Sequence, residues 1–223
     1  MFTSYPTYNP FRSLKLSTPH LKGEDVYALQ TALIEIGFEL PQFGADGDLG
    51  DETAKAIVGA QTKFGLTPDG VAGPKTQTAI ANLLGTVARK KYNIASGALY
   101  GQIQTESAFL LGNYSPLRDD NTYDAGVVQR NTKYTDPKEG FDAAKSIDKL
   151  ASQIREYYDK YAGVADNHRR WQLAQGSWNA PAFTDYIARE EGATKAGPGA
   201  RPSDANRAKI EAYMDSVSAY LHV

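Results

Sequence analysis

Three observations predict a mainly α-helical fold with at most a small β element for this 223-residue chain. Apolar residues recur at helical spacing in several separate segments. Val26, Leu29, Leu33 and Ile36, for example, are three or four residues apart and share one helix face. A turn-and-helix unit occurs twice, at 46–57 and again at 69–80. The one strand-like run is short and follows a polar turn within 123–131.

Residues 1–16, rich in Tyr, Pro and Ser/Thr and without periodicity, read as an extended N-terminal tail. The spacing then predicts a helix over 23–37, closed by Gly37. In the repeat, Asp46-Gly47-x-x-Gly50-x-x-Thr53-x-x-Ala56-Ile57 aligns with Asp69-Gly70-x-x-Gly73-x-x-Thr76-x-x-Ala79-Ile80, at an offset of 23 residues. Each Asp-Gly makes a turn with one residue at positive φ. The residue after the second Gly starts a helix, and Pro74 suits the first helical position. Helices are therefore expected over 51–64 and 74–85. Three short helices joined by such turns define a small domain over 17–86, a size that suggests a binding module.

A second part, 87–223, opens at Arg89-Lys90-Lys91-Tyr92 with no Gly/Ser linker, so little flexibility is expected between the two. Within it, 141–161 is an amphipathic helix with Phe141, Ala144, Ile147, Leu150, Ile154 and Tyr158 inward. Another helix ends at the corner Trp178-Asn179-Ala180-Pro181, and Asp185-Tyr186-Ile187 starts the next element. Gly192 to Asp204 reads as a mobile loop. A closing helix over 205–221 carries Ile210, Tyr213, Val217 and Tyr220.

Composition bounds the function. With 41% hydrophobic and 22% charged residues, the chain is an ordinary soluble one. No run approaches the roughly 18 apolar residues of a membrane span. The N-terminus has neither a basic n-region nor an apolar h-region, so synthesis in the cytoplasm without a secretory signal is expected. The absence of cysteine excludes disulfides, thiolate metal sites and cysteine nucleophiles. Net charge is −2, but Ser17 to Gly85 holds four Lys/Arg against nine Asp/Glu. No strongly basic face appears, so nucleic acid is not an expected partner. His20, His168 and His222 are scattered, and neither a metal site nor a cofactor is expected. A monomer is expected.

One carboxylate interrupts an apolar stripe. Ala95, Leu99, Ile103, Glu106 and Leu110 step by four or three along one helix face. Burial there would raise the Glu106 pKa and let it act as a general acid. The alternative is an ionised glutamate at the edge of the stripe. Downstream, Gln129, Trp178 and Asn179 complete the inventory of a saccharide site: a proton-donating carboxyl, amides for N-acetyl groups and an aromatic platform. Taken singly, Gln129 could equally be a strand-edge side chain, Trp178 a core anchor and Asn179 a helix C-cap. Asp119, Asp120 and Asp124 are candidates for a second carboxylate, or else form a solvated acidic turn.

Two resemblances build on these residues. Gly23-Glu-Asp25-Val26-Tyr-Ala-Leu29-Gln30-x-x-Leu33, the first repeat, and Gln61-x-x-Phe64-Gly65-Leu66-x-x-Asp69-Gly70-Val71-x-Gly73-Pro74-x-Thr76 together resemble a three-helix peptidoglycan-binding domain. The segments Glu106-Ser107, Gly126-Val127-Val128-Gln129, Trp178-Asn179-Ala180 and Tyr186-Ile187 resemble, as an ordered set, the lytic transglycosylase domain of the goose-type lysozyme-like superfamily. Trp178, Val128 and Pro181 depart from that pattern, which puts the lining of its subsites in question.

The second resemblance implies a lysozyme-like helical domain over 87–223 that cleaves the β-1,4 bond between N-acetylmuramic acid and N-acetylglucosamine. Glu106 would be acid and then base, giving 1,6-anhydro ends, or reducing ends in a hydrolytic muramidase. Tyr186 would bond Glu106, Ser107 and Gln129 would contact acetamido or lactyl groups, and Asn179 would shape the pocket. The implied partner is the glycan strand of peptidoglycan, with no stable membrane association. The layout is similar to a bacteriophage endolysin, which reaches the wall through a holin pore. The alternative from another class is a wall-binding or virion structural protein without activity.

Overall fold

Residues 12–221 are described in a computed structural model, and within them nine helices and one two-stranded hairpin follow each other along the chain. The helices are α1 (Glu24–Glu35), α2 (Asp51–Lys63), α3 (Pro74–Lys91), α4 (Ala98–Ser107), α5 (Pro137–Phe141), α6 (Ala143–Lys160), α7 (Asn167–Gly176), α8 (Pro181–Glu190) and α9 (Asp204–Ser218). Between α4 and α5, β1 (Asp124–Ala125) pairs antiparallel with β2 (Arg130–Asn131). The fold is mainly α, as the spacing predicts. No described helix is long and apolar enough to cross a membrane.

The chain forms two compact units, each discontinuous in sequence. The first runs to Thr86 and also takes in Glu106–Ile147; the second is Val87–Thr105 with Asp148–Val223. The expected division after residue 86 therefore falls inside α3, and the segment from Glu106 to Ile147 groups with the N-terminal residues.

In the first unit, α1 buries Val26, Leu29 and Leu33 completely and Ile36 almost so. Its end is closed by Gly37 at φ 97, with the Gly37 and Phe38 amides donating back to the Ile34 and Leu33 carbonyls. Of the expected N-terminal tail, residues 1–11 lie outside the described residues. Residues 12–22 form no helix but cross both repeat turns as a strap. Leu14 and Ala72 exchange backbone bonds, Leu49 donates to the Leu21 carbonyl, and Gly23 donates to that of Gly47. Leu14 is buried, and Arg12 grips both carboxylate oxygens of Asp25 on α1.

The segment after α4 is tied to the same helices. The Leu111 amide donates to Gln77 Oε1 of α3 at 3.0 Å. Gly112 lies so close to α1 that a Cβ there would stand 2.3 Å from the Asp25 Cα. The helix expected over 141–161 is interrupted: Asp142, at ψ 96, separates α5 from α6, and its Oδ1 accepts from the Lys145 amide at 3.1 Å. An Asp side chain competing for backbone donors favours such a break.

In the second unit, α6 to α9 enclose Tyr161, Leu173, Ile187, Ala188 and Met214. The Tyr161 hydroxyl donates to Asp185 Oδ1 at 2.9 Å while Lys160 Nζ meets Oδ2 at 2.7 Å, and burial raises the phenol pKa. The loop over 192–204, expected to be mobile, is pinned at Ala200, whose amide donates to the Ala182 carbonyl at 2.9 Å. Arg169 of α7 ties α9 to the end of α8 by pairing with Glu191 and Glu211.

That arginine holds the Glu211 carboxyl below its ordinary range. A depressed folded pKa adds stability that is present above the unfolded value, about 4.3 for Glu, and lost as pH falls through the folded one. The melting midpoint of the second unit is expected to be flat from neutral pH to about 5 and to fall below that. In Arg169→Met, calorimetry over the same range should show a lower midpoint with a weaker acid dependence.

Candidate functional site

The two repeat turns share one device. Gln30 of α1 is 1% exposed; its Nε2 is 3.0 Å from Asp46 Oδ1, the Asp48 carbonyl and Thr53 Oγ1, and its Oε1 accepts the Gly47 amide at 2.7 Å. Gln61 of α2 is 2% exposed and does the same for the second turn. Its Nε2 reaches Asp69 Oδ1 at 2.7 Å, the Val71 carbonyl at 3.0 Å and Thr76 Oγ1 at 3.2 Å, and its Oε1 accepts the Gly70 amide at 2.9 Å. One amide side chain per turn thus satisfies the donors and acceptors that an Asp-Gly turn leaves inside. The identities at Asp, Gly and Thr in the repeat are the partners of these two glutamines. The repeat is legible in the sequence; nothing local marks the two glutamines as its latches, although each stands among the buried residues of its helix.

Beside the first turn lies a cleft of about 290 Å³ with His20, Gln42, Phe43, Asp48, Asp51 and Glu52 among its lining residues. A wider groove of about 690 Å³ shares Gln42, Asp51 and Glu52 with it. Glu52 accepts from the amides of Gln42 at 2.9 Å and Phe43 at 3.4 Å, which positions the Phe43 ring 69% exposed at the rim. Asp48 is answered by His20 at 2.8 Å and Lys22 at 2.7 Å, and the latter pair lowers the pKa of the Asp48 carboxyl.

The other expected site residues divide between the units. Glu106, Ser107, Gln129, Asp119, Asp120 and Asp124 belong to the first; Trp178, Asn179 and Tyr186 belong to the second. Glu106 is half-buried in the last turn of α4, and Ser107 is buried. Ala108 and Phe109 follow at φ 50 and 64, two consecutive non-glycine residues in the left-handed region. The Ser115 amide donates to the Asp124 carbonyl and that of Gly126 to the Asn113 carbonyl, laying the β1–β2 hairpin along the segment that leaves α4.

Where a polar turn and a short strand-like run are expected within 123–131, the chain makes a hairpin, with β1 and β2 flanking a turn over 126–129. Gln129, at φ 53, folds its Nε2 back to the Gly126 carbonyl at 2.8 Å. Asp124 is held by Arg118 and by Asn131 Nδ2, Asp120 accepts from Thr122, and Asp119 is exposed. Gly126 permits no side chain: at φ 77, a Cβ would stand 1.9 Å from the Gly140 carbonyl oxygen. Gly126→Ala should therefore cost on the order of 3 kcal/mol, read as a lower urea midpoint.

In the second unit α7 ends at Gly176, and Trp178 and Asn179 form the corner before Pro181 opens α8. Trp178 is half-buried and Asn179 exposed; Ser177, not Asn179, is the C-cap. Tyr186 lies one helical turn before Glu190, whose carboxyl is held below its ordinary range by Arg207 first and by the Tyr186 hydroxyl in addition. Among the described residues no group of three or more His, Asp or Glu side chains could hold a metal ion; His222 lies outside them.

The three latched helices define a peptidoglycan-binding domain: the family model described as "Putative peptidoglycan binding domain" matches residues 22–80. Two Bacillus licheniformis proteins are similar to the chain. One, "Probable N-acetylmuramoyl-L-alanine amidase", is 38% identical over 103 residues, covering 40% of this chain and 29% of the relative. The other, "N-acetylmuramoyl-L-alanine amidase CwlL", is 48% identical over 59 residues, covering 26% and 16%. The chain thus spans less than a third of the curated relatives it matches. Peptidoglycan is the partner that the domain supports.

The relatives correct the expected chemistry. Both are named for an amide bond, which overturns the expectation of a lytic transglycosylase or muramidase cutting the glycosidic bond. The physical reason is that one carboxyl group does not select its bond. The same proton donor serves a leaving sugar oxygen or a leaving amide nitrogen, and peptidoglycan contains both.

Proposed function

We propose that this chain degrades peptidoglycan, holding the wall through residues 22–80 and hydrolysing the amide bond between N-acetylmuramic acid and L-alanine. The observation that carries this reading is the match of a peptidoglycan-binding model to the doubly latched unit, in a chain whose relatives are named amidases. Tethering to an insoluble polymer raises the effective concentration of its bonds, which gives such a domain its use. Glu106 is the group proposed to move the proton, taking it from water and giving it to the leaving nitrogen.

The test is product analysis of purified walls. Dinitrophenylation after digestion should reveal new L-alanine amino termini, with no matching rise in sugar ends. New sugar ends without new amino termini, or no product at all, would refute the amidase reading.

A further inference from the structure

We infer that the cleft beside the first repeat turn binds the free amino group of the diamino acid in the peptidoglycan stem peptide. This inference rests on the peptidoglycan-binding reading and names the part of the polymer that is gripped. The cleft of about 290 Å³ has the scale of one or two residues of a peptide, and the wider groove continues it along α2. Its carboxylates are not equivalent. Asp46 is taken up by Gln30 and by the Asp48 amide, Asp48 by His20 and Lys22, and Glu52 by the loop carrying Phe43. The Asp51 carboxylate, exposed at the start of α2 and lining both cavities, makes no hydrogen bond or ion pair with another described residue. An ammonium group entering there meets a free carboxylate, while the aliphatic chain behind it can lie against the exposed Phe43 ring.

The repeat supplies an internal control. At the second turn the positions of Asp48, Asp51 and Glu52 are held by Val71, Pro74 and Lys75, although the turn and its glutamine latch are the same. The fold therefore does not require these acids; only the turn that borders the cleft has them. The whole stretch 17–85 is acidic, four Lys/Arg against nine Asp/Glu, which suits a cationic ligand and not the carboxylates of the same stem.

The experiment is co-sedimentation of the full chain, on ice, with purified walls whose amino groups are either free or blocked by acetic anhydride. Acetylation removes the ammonium charge, and binding should weaken by roughly fivefold, the scale of one exposed ion pair. Asp51→Asn should bind free-amino walls as weakly as the native chain binds blocked ones and should not distinguish the two. Lys75→Asn should behave as native. Equal binding of both walls by the native chain, or retained discrimination by Asp51→Asn, overturns the inference and leaves the peptidoglycan-binding reading standing. Binding to neither wall overturns both.

Discussion

Glu106→Gln is expected to abolish wall degradation, with a loss of 10²-fold or more, the range that follows removal of a group transferring protons in the transition state. Co-sedimentation with walls should be unchanged. The substitution keeps size and shape and removes only the transferable proton, so packing at the end of α4 is preserved. The local backbone supports this choice of residue. Ala108 and Phe109, directly after Glu106 and Ser107, both hold positive φ, and such conformations in residues with a Cβ are costly and gather where geometry serves function. Clearing of a wall suspension measures the rate, and dinitrophenylation identifies the bond. A variant that clears at the native rate removes Glu106 from the chemistry, whichever bond is cut.

The contrast between what was and was not legible follows from range. Val26, Leu29, Leu33 and Ile36 form one buried face, as their spacing predicts, because helical periodicity is a local property. The starts of α2 and α3 were fixed by Gly50 and Gly73 with the residues after them. Contacts far apart in sequence left weaker traces. Nothing in a Tyr- and Pro-rich N-terminus announces that Leu14 will pair with Ala72, or that Gln77 will accept the Leu111 amide. The break at Asp142 leaves no local trace, because Phe141, Ala144 and Ile147 keep helical spacing across it, while the constraint is distant in sequence: a Cβ at Gly140 would stand 2.8 Å from that of Ala125. For the candidate site, residue types are readable in the sequence but partners are not: Gln129 turns back on its own loop. Bond specificity was least legible, since it depends on how a substrate lies against the carboxyl group.

The largest loss of stability is expected at the latches. Gln30→Ala removes the acceptor of the buried Gly47 amide and the donor to Asp46, to the Asp48 carbonyl and to the buried Thr53 hydroxyl. Each buried polar group left unsatisfied costs about 1–3 kcal/mol, so a total near 4 kcal/mol is expected, enough to unfold the first unit of a marginally stable protein. Gln61→Ala should act alike through Gly70 and Thr76. The isosteric Gln30→Glu separates packing from hydrogen bonding. It fills the same space and can still accept from Gly47, but it replaces the donor with an oxygen facing Asp46, Asp48 and Thr53. Its carboxyl would be stable there only when protonated, so its pKa is raised by folding. Stability of Gln30→Glu should therefore rise as pH falls and decline as pH increases through that pKa, opposite to the acid sensitivity expected around Glu211. Hydrogen exchange at the Gly47 amide reports the latch directly, and wall co-sedimentation reports the cleft built on its turn. If Gln30→Ala leaves both unchanged, the repeat turns hold themselves and the glutamines are passengers.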